Sequence, residues 1–128
     1  MKKALLLMLL TVMSGNAAAA WVEACSNETA TIYIDPGSIR KSGDVAQMSN
    51  LLDLKSGVVL GELVAFTSYK EHQEFDCKKR QARILYVSWY AENMGSGRMV
   101  GSDSAPTNWR PVRPGSMCEV LLDLACGK

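Results

Sequence analysis

Residues 114–127, PGSMCEVLLDLACG, decide the fold because they predict one amphipathic helix that carries two cysteines. Ser116 followed three residues later by Glu119 is the capping-box signature of a helix start. Within residues 117–126 only Glu119 and Asp123 are polar, and they lie four apart on one stripe of the helix. The remaining apolar arc predicts that this helix packs against one face of a sheet.

The four cysteines, Cys25, Cys77, Cys118 and Cys126, are typical of a protein with two disulfides in an oxidising compartment. Cys118 and Cys126 lie eight residues apart in the predicted helix, a rise of about 12 Å, which is too far for a bond between them. Each must therefore pair with Cys25 or Cys77, and the spacing leaves both pairings open. A bridge that closes a loop of about 50 residues stabilises a fold by roughly 4 kcal/mol.

Residues 1–20 predict a signal peptide. Lys2 and Lys3 precede a short apolar run, and small residues stand directly before Trp21. The apolar run is too short to span a bilayer, so we expect cleavage before Trp21 rather than a retained anchor. No small-residue box stands before Cys25, so we expect no lipid-anchored cysteine. The protein should be exported to the periplasm, secreted or displayed on the cell surface.

Cleavage of 20 residues from the 128 leaves residues 21–128, a length that suits one domain. The signal carries two of the 14 basic residues and none of the 13 acidic ones, so 12 basic and 13 acidic residues remain, a net charge of −1. This balance provides no broad basic field for nucleic acid or for an anionic membrane. We therefore expect no nucleic-acid partner and no stable membrane insertion.

Short β-type runs separated by turn residues fill the mature chain. The predicted strands are residues 21–25, 29–34, 45–54, 58–69, 83–90 and 98–100. Residues 55–57, Lys-Ser-Gly, are interpreted as the hairpin loop between the third and fourth strands. The predicted class is α+β, an antiparallel sheet of about six strands with the C-terminal helix stapled to one face by disulfides.

No combination of residues predicts catalysis. His72 is the only histidine, so the usual histidine-rich metal sites have too few ligands. Cys77 lies five residues from it, but a cysteine in an oxidising compartment is expected to be bridged rather than nucleophilic. Glu71, Glu74 and Asp76 stand among lysines, a mixture interpreted as the solvated surface of an edge strand. We expect no enzyme, no cofactor and no metal.

One local cluster of positive charge stands out from this mixture. Its members are Lys78, Lys79, Arg80 and Arg83. A compact basic patch attracts acidic groups over several ångströms. These four residues are therefore the candidate contacts for an acidic ligand.

Several short motifs follow one another along nearly the whole mature chain. They are Trp21, Tyr33-Ile34-Asp35-Pro36 with Ile39-Arg40, Glu74-Phe75-Asp76-Cys77 with Arg80, Tyr90 with Met94-Gly95-Ser96-Gly97, and Trp109-Arg110-Pro111-Val112 with Pro114-Gly115-Ser116 and Ala125-Cys126. Each motif alone is weak, but in this order they are fairly specific. With them the chain resembles the surface-adhesin protein E family of small exported bacterial proteins.

The resemblance implies an antiparallel sheet with a C-terminal helix held across it by a disulfide, which in this sequence would join Cys77 to Cys126. That bond would leave Cys25 with Cys118. The alternative pairing, Cys25 with Cys126 and Cys77 with Cys118, remains open at this point. The family includes a lipid-tethered adhesin for the host matrix, and this chain departs from it in the absence of a lipid box.

The function predicted from the sequence is that of a non-enzymatic exported envelope binding protein. It would be adhesin-like and would bind a protein ligand, such as a host extracellular-matrix protein, through sheet edges and loops. The alternative is a periplasmic inhibitor or accessory module, for example of a cell-wall hydrolase. Exposed sheet edges also allow a homodimer.

Overall fold

The structure is a computed structural model that describes residues 20–60 and 63–127. The predicted signal peptide therefore lies outside the described residues, apart from Ala20. Within the described ranges no helix has the length and apolar character needed to cross a membrane.

Strands make up most of the described chain. They are β1 (Val22–Ser26), β2 (Ala30–Ile34), β3 (Arg40–Ser42), β4 (Val45–Leu60), β5 (Leu63–Asp76), β6 (Gln81–Tyr90), β7 (Met99–Asp103) and β8 (Arg110–Pro111). The helix α1 is Met117–Cys126, and short 3-10 turns occur at Pro36–Ser38 and Asn93–Gly95. The elements thus alternate strand with turn until one terminal helix.

The strands form one antiparallel sheet in the order β1-β2-β4-β5-β6-β7. β3 pairs with the first residues of β4, and β8 pairs with the first residues of β6. The predicted α+β architecture is confirmed, with β3 and β8 as short additions to the six-strand order.

The region predicted as a hairpin loop has a different structure. Residues 55–57 lie inside β4, and the strand continues past them. The pairing of β4 with β5 jumps from Asp53–Ser68 to Val58–Phe66. The turn residues mark a real irregularity, but it is a bulge, because strand pairing resumes beyond it.

The charged stretch of residues 70–76 lies in β5, between β4 and β6, so its interpretation as an edge strand was wrong. Glu71 and Glu74 are only partly exposed. Alternation along a strand sends their side chains to opposite faces of the sheet. There Asn50 donates a hydrogen bond to Glu71, and Gln47 donates one to Glu74. Local donors therefore let a charged segment occupy a central strand.

The helix α1 spans the predicted residues. Ser116 Oγ accepts from the Glu119 N–H at 3.2 Å, and Glu119 Oε1 accepts from the Gly115 N–H at 3.0 Å. The first bond caps an amide of the first helical turn, and the second holds the residue that precedes the N-cap. Gly127, with φ 80°, ends the helix in the left-handed conformation that a residue without Cβ adopts readily.

The helix covers one side of the sheet, here called the inner face, and the core lies between them. Its buried members on the helix are Leu121, Leu122, Ala125 and Cys126, and those on the sheet are Ile32, Ile34, Ala46, Met48, Phe75 and Ala82. Full burial of one large aliphatic or aromatic side chain stabilises a fold by about 1.5–3 kcal/mol. The inner face is therefore the main source of hydrophobic stabilisation.

A disulfide joins Cys77, directly after β5, to Cys126, the last residue of α1. This bond confirms the pairing implied by the family resemblance. It also excludes the alternative in which Cys77 pairs with Cys118. The bridged residues are 49 apart in sequence, so the bond closes a long loop and restricts the unfolded chain strongly.

The second predicted bridge, between Cys25 and Cys118, is not formed in this structure, where both residues carry free thiols. Cys25 lies on β1 and Cys118 in the first turn of α1, and both pack against the core. Burial raises the pKa of each thiol. Of the two predicted bridges, the structure therefore contains the one between Cys77 and Cys126.

The opposite side of the sheet, here called the outer face, is partly covered by the loop between β6 and β7. Ser68 Oγ donates to the Glu92 carbonyl at 2.5 Å and accepts from the Gly95 N–H at 2.8 Å. Leu51 is fully buried on this face. Gly95 has φ +67°, and a Cβ there would lie 2.5 Å from Lys70 Cε. Glycine therefore lets the loop lie this close to the sheet.

Candidate functional site

The predicted basic cluster occupies the turn between β5 and β6. Asp76 Oδ1 accepts from the backbone N–H groups of Lys78 and Lys79, at 3.1 and 2.9 Å. This carboxylate shapes the turn and leaves both lysine side chains exposed. Lys78 and Lys79 are thus available to an external anion.

Arg80, at the end of the same turn, contacts the helix instead. Its Nη2 lies 3.0 Å from Glu119 Oε2 and 3.3 Å from Asp123 Oδ1. A backbone hydrogen bond from Gly115 and the Arg80 contact lower the pKa of Glu119. Arg80 also adopts φ 54°, a left-handed conformation that costs a non-glycine residue about 1–2 kcal/mol. The residue ties the turn to α1, and two carboxylates offset its charge.

Arg83 is engaged on the outer face. Its Nη2 lies 2.7 Å from Glu74 Oε1, and its guanidinium stacks 4.6 Å from the Trp109 ring centroid. Stacking of this kind favours a cation that is already paired and partly desolvated. The structure therefore separates the four predicted contacts into two exposed lysines and two arginines with internal partners.

The Glu74 carboxylate also belongs to a chain of side-chain hydrogen bonds across β4 and β5. Gln47 Nε2 donates to Glu74 at 3.2 Å, and Gln47 Oε1 lies 3.0 Å from His72 Nε2. His72 Nδ1 lies 2.9 Å from Ser49 Oγ. Because Gln47 uses its amide nitrogen for Glu74, its oxygen is left to accept from the histidine. The single histidine thus cross-links two strands.

Within the described ranges, no group of three or more histidine, cysteine or acidic side chains is placed to hold an ion. Cys77 forms a disulfide with Cys126, and His72 is hydrogen-bonded to Ser49 and Gln47. A bridged sulfur cannot act as a nucleophile. The residues tested as catalytic candidates therefore have structural partners.

Three polar side chains, Asn50, Glu71 and Gln73, form hydrogen bonds with one another on the inner face. Glu71 Oε1 accepts from Asn50 Nδ2 at 3.2 Å and from Gln73 Nε2 at 3.3 Å. Burial raises the pKa of Glu71, although the hydrogen bond from Asn50 acts in the opposite direction. Burial, with Glu71 nearby, also raises the pKa of Tyr69 to about 12. This part of the inner face holds one carboxyl group in a poorly solvated place.

A pocket of about 450 Å³ opens between β6, β8 and the N-terminal end of α1. It is here called the arginine pocket. Its apolar wall consists of Ala82, Ile84, Pro111, Val112 and Cys118, and the remaining lining residues are Gln73, Arg83, Thr107, Arg110, Arg113 and Ser116. This volume falls within the range of small-ligand sites, about 300–1,000 Å³.

Arg110 and Arg113 were not among the predicted contacts. Both are exposed, and within the described ranges neither forms an ion pair, in contrast to Arg80 and Arg83. The sequence contains a usable signal: proline is confined to edge strands and strand ends, so the arginines beside Pro111 and Pro114 are expected at the border of the sheet. The prediction had favoured the denser run at residues 78–83.

A smaller pocket of about 260 Å³ lies on the outer face. Its lining includes Trp21, Tyr86 and Tyr90 together with polar residues of β4 and β5. Lys70 Nζ lies 4.9 Å from the centroid of the Tyr90 ring, within the range of a cation–π contact. Trp21, Tyr86 and Tyr90 thus line this pocket together with Lys70.

Comparison with known proteins gives one family. The family model described as surface-adhesin protein E matches residues 21–127. No curated protein has significant sequence similarity to the chain.

Solved structures with a similar fold come from Haemophilus influenzae. Protein E of that organism superposes with a TM-score of 0.63 at 14% identity, covering 88% of this chain and 87% of that one. A second crystal form of protein E gives 0.61 at 14% identity, with 87% and 97% covered. Protein E from a non-typeable strain gives 0.62 at 15% identity, with 88% and 78% covered. At these identities the likeness shows a shared fold.

Proposed function

We infer, from the surface-adhesin protein E family to which this chain belongs, that the protein is an exported, non-enzymatic binding protein of the bacterial envelope. Its ligand would be a protein, in the first instance a component of the host extracellular matrix. The family match over residues 21–127 carries this proposal. Export would depend on the signal peptide predicted at residues 1–20.

The roles of the family motifs support a binding function located elsewhere on the surface. Asp35 caps a 3-10 turn, Phe75 is fully buried, and Arg80 ties a turn to the helix. Gly95 permits the close approach of a loop, and Ser116 caps α1. Because these residues maintain the fold, ligand recognition is assigned to loops and sheet edges, whose residues vary more freely.

Two exposed regions suit contact with a protein. Val22 at the start of β1 and Met99 at the start of β7 are 49% and 47% exposed, and each lies on an edge strand of the main order. Lys78 and Lys79 project from the turn between β5 and β6. Edge strands offer unpaired backbone groups, and the lysines add attraction for acidic segments.

The direct test is a binding panel with the mature chain, residues 21–128. Immobilised extracellular-matrix proteins are exposed to the wild type and to the variant Lys78→Ala/Lys79→Ala, with Lys55→Ala/Arg98→Ala as the matched control of equal charge change. Saturable binding by the wild type supports the proposal. If no matrix protein binds at micromolar concentrations, the host-matrix part is wrong.

The location of the protein in the cell distinguishes a surface adhesin from a periplasmic inhibitor or accessory module. Protease treatment of intact cells should digest the chain if it is displayed on the surface. Protection until the outer barrier is opened, combined with inhibition of a cell-wall hydrolase such as lysozyme by the purified chain, would favour the inhibitor. Light scattering on the same sample measures whether the exposed edges form a homodimer.

A further inference from the structure

We propose that the arginine pocket binds the C-terminal residue of a protein partner, with Arg110 and Arg113 recognising its carboxylate and the apolar wall receiving its side chain. This inference rests on the proposed function, because it assumes that the ligand is a protein. It assigns the acidic contact to a different place from the basic cluster of residues 78–83.

Charge gives the first argument. Arg80 and Arg83 contact carboxylates at 2.7–3.3 Å, whereas Arg110 and Arg113 have no such partner in the described ranges. None of the residues that line the pocket is acidic. An arginine presents its donors in a planar fork that matches the two oxygens of a carboxylate. The pocket therefore offers two guanidinium groups to an anion, and its lining contains no carboxylate that could occupy them.

The apolar wall gives the second argument. Ala82 belongs to the hydrophobic core, and Val112 and Cys118 pack against that core. They are therefore fixed in place and form a rigid surface beside the arginines. A small inorganic anion would leave most of the roughly 450 Å³ unfilled. An apolar side chain attached to the carboxylate would occupy that space and remove the wall from water.

Local hydrogen bonding decides which other groups can take part. Thr107 Oγ1 accepts from the Ile84 N–H at 2.9 Å, so its position is fixed while its hydroxyl hydrogen points elsewhere. Ser116 Oγ donates to the Arg113 carbonyl and accepts from Glu119, so it is already satisfied. The arginines and Thr107 are the donors left for a ligand. Capture of a terminal carboxylate by a few fixed donors is a known mode of peptide recognition.

The experiment uses the mature chain and two forms of one short peptide, acetyl-Ala-Ala-Leu-Phe with a free carboxylate and the same peptide as its amide. Amide chemical-shift changes on titration give the affinity and locate the site. We expect the free acid to bind at least tenfold more tightly than the amide, with shifts at residues of β6, β8 and the start of α1.

Variants test the role of the arginines. Arg110→Gln/Arg113→Gln should abolish the preference for the acid, while Arg98→Gln, which removes one charge near β7, should retain it. Unchanged melting temperatures show that each variant is folded. Equal affinity for acid and amide, absence of binding up to 10 mM peptide, or full competition by equimolar inorganic phosphate would each overturn the proposal.

The outcome is distinguishable from failure of the proposed function. If a matrix protein binds the wild type and the double variant equally well, the pocket is not its site, and the adhesin function stands. If the peptide acid binds but no protein of the panel does, the pocket stands and the host-matrix function is wrong.

Discussion

The two faces of the sheet are covered by different means. On the inner face a separate helix contributes an apolar surface, and the Cys77–Cys126 bond and the Arg80 ion pairs hold it there. On the outer face a loop of the sheet itself is held by hydrogen bonds to the buried side chain of Ser68. A helix makes no backbone ladder with the sheet, so it needs links of other kinds, whereas a loop can use its own amides.

The largest effect should come from the covalent link. Cys77→Ser and Cys126→Ser should each destabilise the fold by about 4 kcal/mol, because the unfolded chain loses a long cross-link. Thermal denaturation should show a decrease of more than about 10 °C. Cys25→Ser, which alters a free thiol, is the control and should change the melting temperature little. Equal decreases in all three variants would mean that the bridge is not the main link.

The variant Ser68→Ala tests how the loop between β6 and β7 is held on the outer face. This change leaves the Glu92 carbonyl and the Gly95 N–H without their buried partner, at a cost of about 2 kcal/mol in the free energy of unfolding. Ser88→Ala is the matched control, since Ser88 is equally buried but donates only to the Tyr90 hydroxyl. Urea denaturation should show the larger loss for Ser68→Ala. A larger loss for Ser88→Ala would contradict this description of the outer face.

The ionic link of the inner face should contribute less. Arg80→Ala removes the contacts to Glu119 and Asp123, which are about one-third exposed, so its loss of stability should be smaller than that of Ser68→Ala. Arg80→Gly removes the same contacts but relieves the left-handed backbone, so its loss should be smaller. Urea denaturation at low and high salt measures both terms. If high salt leaves the stability of the wild type relative to Arg80→Ala unchanged, the ion pairs contribute nothing.

The smallest effect concerns pH. Because burial raises the pKa of Glu71, the folded state binds this proton more tightly than the unfolded state, and stability falls as pH rises through the interval between the two pKa values. Glu71→Gln keeps an acceptor for Asn50 and should be slightly more stable than the wild type at pH 7. The difference should shrink below the ordinary value of 4.5.

Glu74→Gln provides the opposite case on the outer face. Its carboxylate pairs with Arg83, so loss of the charge should lower stability at pH 7. Melting temperatures measured from pH 4 to pH 8 compare the two variants. If both variants shift stability in the same direction at pH 7, the contrast between the two carboxylates is wrong.

Much of the fold could be predicted from the sequence because its signals are local. The helix bounds follow from Ser116, Glu119 and Gly127, which act within one turn of the chain. The bulge at residues 55–57 was mistaken for a loop because glycine and polar residues mark both. The central position of β5 depended on donors from β4, and these become visible only when the strands are paired.

The candidate site was harder to predict for a related reason. The density of positive charge along the sequence favoured residues 78–83, but pairing with distant carboxylates decides which cations are free. Glu119 and Asp123 lie about 40 residues beyond Arg80. Arg110 and Arg113 are free because no carboxylate of the described chain reaches them. A cluster of basic residues in the sequence thus predicts where positive charge lies better than it predicts which side chains are free to bind a ligand.

The position of Cys126 also has a consequence for the order of assembly. In a chain exported from its N-terminal end, all eight described strands emerge before this residue. The apolar side chains of the inner face therefore remain exposed until the helix α1 has emerged. Closure of the bridge must therefore follow the emergence of every described strand, and an oxidising catalyst would act on a chain whose strand segments are already present. If the chain is exported as proposed, a compartment without that catalyst should accumulate open, protease-sensitive molecules.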